Sequence, residues 1–166
     1  FQVLSSKLSF IAAPDWESPL DSDEDNIYNV SIIATNASDK ERQRNITVEV
    51  LDDNVRPMGI TISKSVIPEN TASNTIFAIL TTQDANIKDK HTYQLANGDG
   101  DRDNDLFSIV DDQLVIKEPV DYETKDEYFI RIQSTDNKGL SYEQPISLTV
   151  SDENDRPISL NISNTS

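Results

Sequence analysis

Four separated groups of oxygen-bearing side chains punctuate the chain: Glu69 in Pro68-Glu69-Asn70, Asp121 and Glu123 flanking Tyr122, Asp136 in Thr135-Asp136-Asn137-Lys138-Gly139, and Asp152-Glu153-Asn154-Asp155 just before Pro157. A hard divalent cation such as Ca2+ takes about six to eight oxygens at roughly 2.3–2.6 Å, from carboxylates, amide carbonyls and the main chain. Groups so far apart carry a metal signal only if the fold converges them. Taken singly, each also reads as a turn, because Asp and Asn start turns and solvate loops. Two further loops, Asp21-Ser22-Asp23-Glu24-Asp25-Asn26 and Asp99-Gly100-Asp101-Arg102-Asp103-Asn104-Asp105, alternate oxygen donors as calcium loops do. Neither has the downstream bidentate Glu of an EF-hand loop.

The rest of the composition narrows the chemistry. Thirty acidic side chains against 14 basic ones leave a net charge of −16 over 166 residues. Such a chain repels phosphate backbones and anionic lipid, so no nucleic-acid partner and no membrane insertion are expected of this segment. With no cysteine there is no disulfide scaffold, thiolate zinc site or cysteine nucleophile. The one histidine, His91, has no second His or Cys beside it, and no nucleophile–base constellation accompanies it, so no enzyme is expected. Asn29, Asn36, Asn45, Asn161 and Asn164 head N-x-S/T sequons.

Elements that could bring the carboxylates together are short strands. Apolar residues alternate with polar ones in Gln2–Leu4, Leu8–Ile11, Ile27–Thr35, Asn45–Leu51, Gly59–Ser63, Thr75–Thr82, Thr92–Leu95, Asp105–Ile109, Gln113–Lys117, Glu127–Thr135, Pro145–Ser151 and Ile158–Ile162. Asn/Asp/Ser/Pro loops interrupt them about every ten residues, and no amphipathic helix intervenes. The spacing predicts all-β, antiparallel sandwiches. All four acidic groups fall at strand ends or in linkers.

Self-comparison sets the domain plan. Phe1–Glu17 aligns with Phe107–Glu123 at an offset of 106, pairing Pro14-Asp15-Trp16-Glu17 with Val120-Asp121-Tyr122-Glu123. After a longer loop in the first copy the offset settles at 100: Tyr28–Asn36 faces Tyr128–Asp136, and Leu51–Pro57 faces Ser151–Pro157. Residues 1–57 therefore read as the later half of one repeat, 58–157 as a complete repeat, and 158–166 as the first strand of a third. An excerpt of a tandem array is expected, with strands from elsewhere completing its first half.

The ordered motifs Pro-Glu-Asn, Asp-x-Glu, Thr-Asp-Asn-Lys-Gly and Asp-Glu-Asn-Asp-Arg-Pro resemble those of cadherin repeats. In detail (PDWE, DYE, STDNKG, SDENDRP) they look most similar to the cadherin-like repeats of large bacterial surface adhesins. The resemblance covers the whole chain and implies tandem Greek-key β-sandwiches, cadherin/immunoglobulin-like, outside the cell at its surface. It implies calcium at the linkers, stiffening an extender module whose partners are the adjacent repeats of the same chain. The alternative is a module that itself contacts a partner repeat, a glycan or a protein ligand.

Carried over by position, the resemblance gives the second junction Glu69, Asp121, Glu123, Asp152, the Glu153 main-chain oxygen, Asp155, and Asn154 facing the next repeat. It gives the first junction Asp15, Glu17, Asp52, the Asp53 carbonyl and Asn54, with Asp84, Asn86 and Asp136. That first set departs from the pattern: Val55 stands where the second linker acid belongs, Asn86 where an Asp is usual, and Asn36 where its counterpart is Asp136. Fewer carboxylates mean weaker charge matching. Calcium titration is accordingly expected to resolve a tighter and a weaker class of site, and a single class of equal sites would contradict the reading.

Overall fold

Strand pairing follows the two-residue alternation read from the sequence. The computed structural model describes residues 1–155, which divide into two compact units, Phe1–Val55 with Asn86–Lys88, and Arg56–Ala85 with Asp89 onward. The expected strand Ile158–Ile162 and the segment 158–166 lie outside the described residues.

The second unit contains two four-stranded sheets. One is ordered β5 (Gly59–Ile62), β7 (Thr75–Gln83), β10 (Gln113–Ile116), β9 (Phe107–Val110). The other runs β6 (Val66–Pro68), β12 (Ser141–Ser151), β11 (Glu127–Asp136), β8 (His91–Leu95). Between them lies a core of Ile60, Ile67, Phe77, Leu80, Phe107, Leu114, Ile116, Tyr128, Ile130, Ile132, Leu148 and Val150. This is the cadherin/immunoglobulin-like sandwich, in which alternate residues of each strand point inward. Along β11 the alternation is complete: Tyr128, Ile130, Ile132, Ser134 and Asp136 are buried, and the intervening residues are not. Gln144 Oε1 accepts the Ile60 N–H at 3.0 Å and so joins a strand of each sheet.

Several local features differ from the sequence expectation: the strand expected at Asn45–Leu51 spans Glu41–Glu49, and the one expected at Pro145–Ser151 begins at Ser141. β6 was not expected, because three residues ending in Pro68 carry no alternation to read; it is an edge strand, where proline is tolerated, and it pairs with β12 in parallel. The sheets are therefore not wholly antiparallel. β9 begins at Phe107 instead of Asp105, because Asn104–Leu106 form a 3-10 turn. There the Asn104 side chain bonds Ala96 O and the Arg131 N–H, at 2.8 and 2.9 Å, and Asp103 accepts the Phe129 N–H at 2.8 Å. Asp103 also takes the Lys125 ammonium. Much of the oxygen chemistry of loop 99–105 thus goes into closing the loop.

The first unit has two small ladders, β1 (Gln2–Leu4) with β2 (Lys7–Ser9), and β3 (Ile27–Thr35) with β4 (Glu41–Glu49). The β3–β4 hairpin reproduces the β11–β12 hairpin at an offset of 100, pairing Tyr28 with Val48 and Val30 with Ile46 as Tyr128 pairs with Leu148 and Ile130 with Ile146. Its inward positions are only half buried, whereas their counterparts are sealed under a second sheet. Phe1, Phe10 and Tyr28 form an aromatic group with ring centroids 4.3–5.7 Å apart.

The same substitution at equivalent sites should therefore cost different amounts. Ile132→Ala, at a fully buried position, is expected to destabilise by about 3–4 kcal/mol and Ile32→Ala by about 1–2 kcal/mol. Residue-resolved hydrogen exchange checks this in each unit, and equal losses would show that the first hairpin is covered as completely as the second.

Candidate metal centre

Glu69 is the least exposed acid of its unit at 3%. Pro68 ends β6 and Asn70 turns the chain with a left-handed φ of 60°, which points the carboxylate inward. Its Oε2 accepts the Tyr122 N–H at 3.2 Å, and its Oε1 accepts the Glu153 N–H. One side chain thereby holds both the Asp121-Tyr122-Glu123 loop and the 152–155 linker. Carboxylate oxygens of Glu69, Glu123 and Asp155 lie within 4.8 Å of one another. Asn70 Nδ2 donates to Asp155 Oδ1 at 3.4 Å.

Asp121 has a local partner set: Oδ1 accepts the Glu123 N–H at 3.2 Å and Oδ2 accepts the Thr124 hydroxyl at 2.6 Å. Chiefly through that hydroxyl, its carboxyl is held below the ordinary range. Glu123 goes the other way. Its own backbone N–H favours the charged form, but desolvation and the carboxylates of Asp121, Glu69 and Asp155 together push it up. Loss of solvent and neighbouring carboxylates both disfavour the charged form of a carboxyl. Asp152, Glu153 and Asn154 lie in the same exposed linker, outside the three-residue group.

The turn explanation accounts for only some of these residues. Asp15 Oδ1 accepts the Glu17 N–H at 3.0 Å just as Asp121 serves Glu123. Asp136 Oδ1 accepts the Lys138 and Leu140 N–H groups at 2.8 and 2.9 Å, and Asn36 Oδ1 accepts those of Ser38 and Lys40, both at 3.0 Å. An amide oxygen therefore serves this turn as well as a carboxylate, which explains why Asn36 stands opposite Asp136. Among the described residues, Glu69, Glu123 and Asp155 make no such turn bonds in their crowded group.

The residues expected at the first junction fall into two sets. In the second unit, oxygens of Asp84, Asp89 and Asp136 lie within 4.8 Å of one another. Asp136 is 5% exposed, His91 Nε2 is 2.9 Å from Asp84 Oδ2, and Asp89 Oδ2 is buried without a hydrogen-bond donor. Asp89 was missed by the sequence reading; its signal was the acid five residues beyond Asp84 in the same β7–β8 loop. Asn86, expected beside Asp84, is instead grouped with the first unit. There its Nδ2 donates to Asp52 Oδ1 at 3.1 Å and to Glu17 Oε1 and Asp53 O at 3.4 Å. Asn54 lies in the same linker, half buried. A third acidic group, Asp21, Asp23 and Asp25, folds on itself, Asp21 Oδ2 accepting the Asp25 N–H at 2.8 Å.

No family profile matches the chain. The human protein protocadherin gamma-A1 is 31% identical over 143 residues, covering 82% of this chain and 15% of its own length. The protocadherin gammaB4 extracellular domain superposes with a TM-score of 0.58 at 26% identity, over 82% of this chain and 23% of that one. The first two domains of human mucin-like protocadherin superpose at 0.56 and 19% identity, over 90% and 76%. The chain thus spans only a small part of the curated relative it matches. These similarities correct the expected likeness to bacterial surface adhesins: the similarity is to protocadherins. Among the motifs behind that expectation, Asp15, Asp121 and Asp136 make local turn bonds, and turns of this kind do not discriminate lineages. The fold is the cadherin-type sandwich, and the gammaB4 structure it resembles is an extracellular domain. Among the described residues no helix is long and apolar enough to cross a membrane.

Glu69 should be structurally indispensable even without metal. In chelator, Glu69→Ala is expected to cost about 2–4 kcal/mol by orphaning two N–H groups, and Glu69→Gln about half as much because one acceptor survives. Equilibrium denaturation in EGTA measures both, and a neutral Glu69→Ala would refute the bonding described.

Proposed function

We propose that this chain is a structural, extender-type module of a cell-surface adhesion protein, with Ca2+ held at the ends of its repeats. In this reading residues 1–57 are the later half of one repeat, 58–157 a complete repeat and 158–166 the start of a third. The adjacent repeats of the same chain are its first partners. The observation that carries the proposal is the group Glu69, Glu123 and Asp155, gathered from three distant segments onto one end of the sandwich.

The donors fit a hard cation. They are all oxygen, and they come from a buried Glu and two loops. Glu69, Asp121, Glu123, Asp152, the Glu153 main-chain oxygen and Asp155 would hold the ion, with Asn154 turned to the following repeat. Calcium would supply there the positive charge that lets these carboxylates stay ionised side by side. The protein's own contribution is placement. Glu69 fixes the linker through the Glu153 N–H, and Thr124 with the Glu123 N–H orients Asp121. A linker tied down in this way resists bending, which suits an extender. Asp84, Asp89 and Asp136 form a second all-oxygen group that supports a further site. Homophilic pairing, or a glycan or protein ligand, is the competing use of the same fold.

Binding to the folded state alone stabilises it by mass action, about 2.7 kcal/mol at 100 times Kd. Thermal unfolding of the 166-residue chain in calcium against EGTA should show a raised Tm. Glu123→Gln and Asp155→Asn should each shrink that rise, and Asp39→Asn, in a turn of the first unit, should leave it intact. An identical Tm in both media would defeat the proposal, and calcium-dependent dimerisation with no change in Tm would favour the competing use.

A further inference from the structure

We propose that Asn86 is a built-in, metal-free pin that takes the place of a cation among the oxygens of Glu17, Asp52 and Asp53. Asn86 is 5% exposed, and its orientation is fixed by chemistry: the Val55 N–H donates to Oδ1 at 2.7 Å, and a donor requires the carbonyl side of the amide. Nδ2 is therefore turned to the opposite side, where it meets Asp52 Oδ1, Glu17 Oε1 and Asp53 O at 3.1, 3.4 and 3.4 Å. Two carboxylates and a main-chain carbonyl converging on one point form a cation's donor set. The point is filled by an amide NH2, whose hydrogens carry partial positive charge.

The two departures in this segment then explain each other. Val55 contributes no side-chain oxygen, and its N–H locks the amide. An Asp at position 86 could still accept the Val55 N–H, but its second oxygen would face Asp52 and Glu17 as a like charge, an arrangement that demands a cation. The amide does not reach Glu17 Oε2, which is buried without a hydrogen-bond donor. Thus the pin neutralises the set only in part, and it does so without charge. The donors present do not fit Ca2+ at this point, because Nδ2 occupies it. The 52–55 segment is then held whether or not calcium is bound, in contrast to the Glu69–Glu123–Asp155 end. The inference does not rest on that end binding calcium.

The test is amide hydrogen exchange of the Val55 N–H in the full 166-residue chain, in EGTA and in calcium. Wild type should show the same protection in both. Asn86→Ala should lose it by roughly tenfold in both media, the worth of a buried hydrogen bond. Asn86→Asp should lose it in EGTA and recover it in calcium, gaining a calcium dependence the wild type lacks. The Val30 and Ile46 amides of the first unit's hairpin, with Ile130 and Leu148 in the second unit, report whether each variant is folded; should Asn86→Ala unfold, the wild-type comparison and Asn86→Asp decide alone. Calcium-dependent protection in wild type, or unchanged protection in Asn86→Ala, would overturn the pin, as would Asn86→Asp behaving the same in both media.

Discussion

A carboxylate sealed at 3% exposure must be answered by donors, and Glu69 is answered by two backbone N–H groups that belong to different segments. Desolvating a carboxylate costs several kcal/mol unless hydrogen bonds replace its water, and bonds to an ionised acceptor are the stronger kind. The position of Tyr122 and Glu153 follows from that requirement. So does the crowding of Glu123 and Asp155, which sit one residue and two residues along from the bonded N–H groups. The acidic end of the sandwich is thus organised by one buried residue at the end of an edge strand. The hydrophobic core makes that placement rigid, because Ile67 in the same strand is fully buried against Val150 and its neighbours.

Charge in the acidic groups is handled in two ways. Asp136 and Asn36 show that a turn needs only an acceptor oxygen, so the extra charge of Asp136 is available to the group with Asp84 and Asp89. Asn86 shows the reverse economy, an amide standing where a further carboxylate would demand an ion. Between these cases the net charge of −16 divides into solvated surface, carboxylates used in turns, and carboxylates gathered in groups.

The sheets were legible because their strands alternate and the hairpins repeat at a fixed offset, so that β3–β4 and β11–β12 align from sequence alone. β6 was not legible, since its only signal is Ile67 between an exposed Val66 and Pro68. Glu69, Glu123 and Asp155 could be named from motif order, but their convergence depends on the Tyr122 and Glu153 N–H bonds, which no local pattern encodes. Asp89 was hidden because the motif directs attention to Asp84 and position 86, and the loop conformation separates those two into different groups. Lineage was the furthest from the residues: turn motifs such as those at Asn36 and Asp136 answer to the acceptor oxygen a turn needs, so they look alike wherever such a turn occurs.

The proposed role of this chain depends on an ion at the Glu69 end of the second unit. Crystals of the chain grown in calcium and measured for calcium anomalous scattering test this most directly. A peak coordinated by oxygens of Glu69, Glu123 and Asp155 is expected. Ordered water or no density among those oxygens, at millimolar calcium, would contradict it.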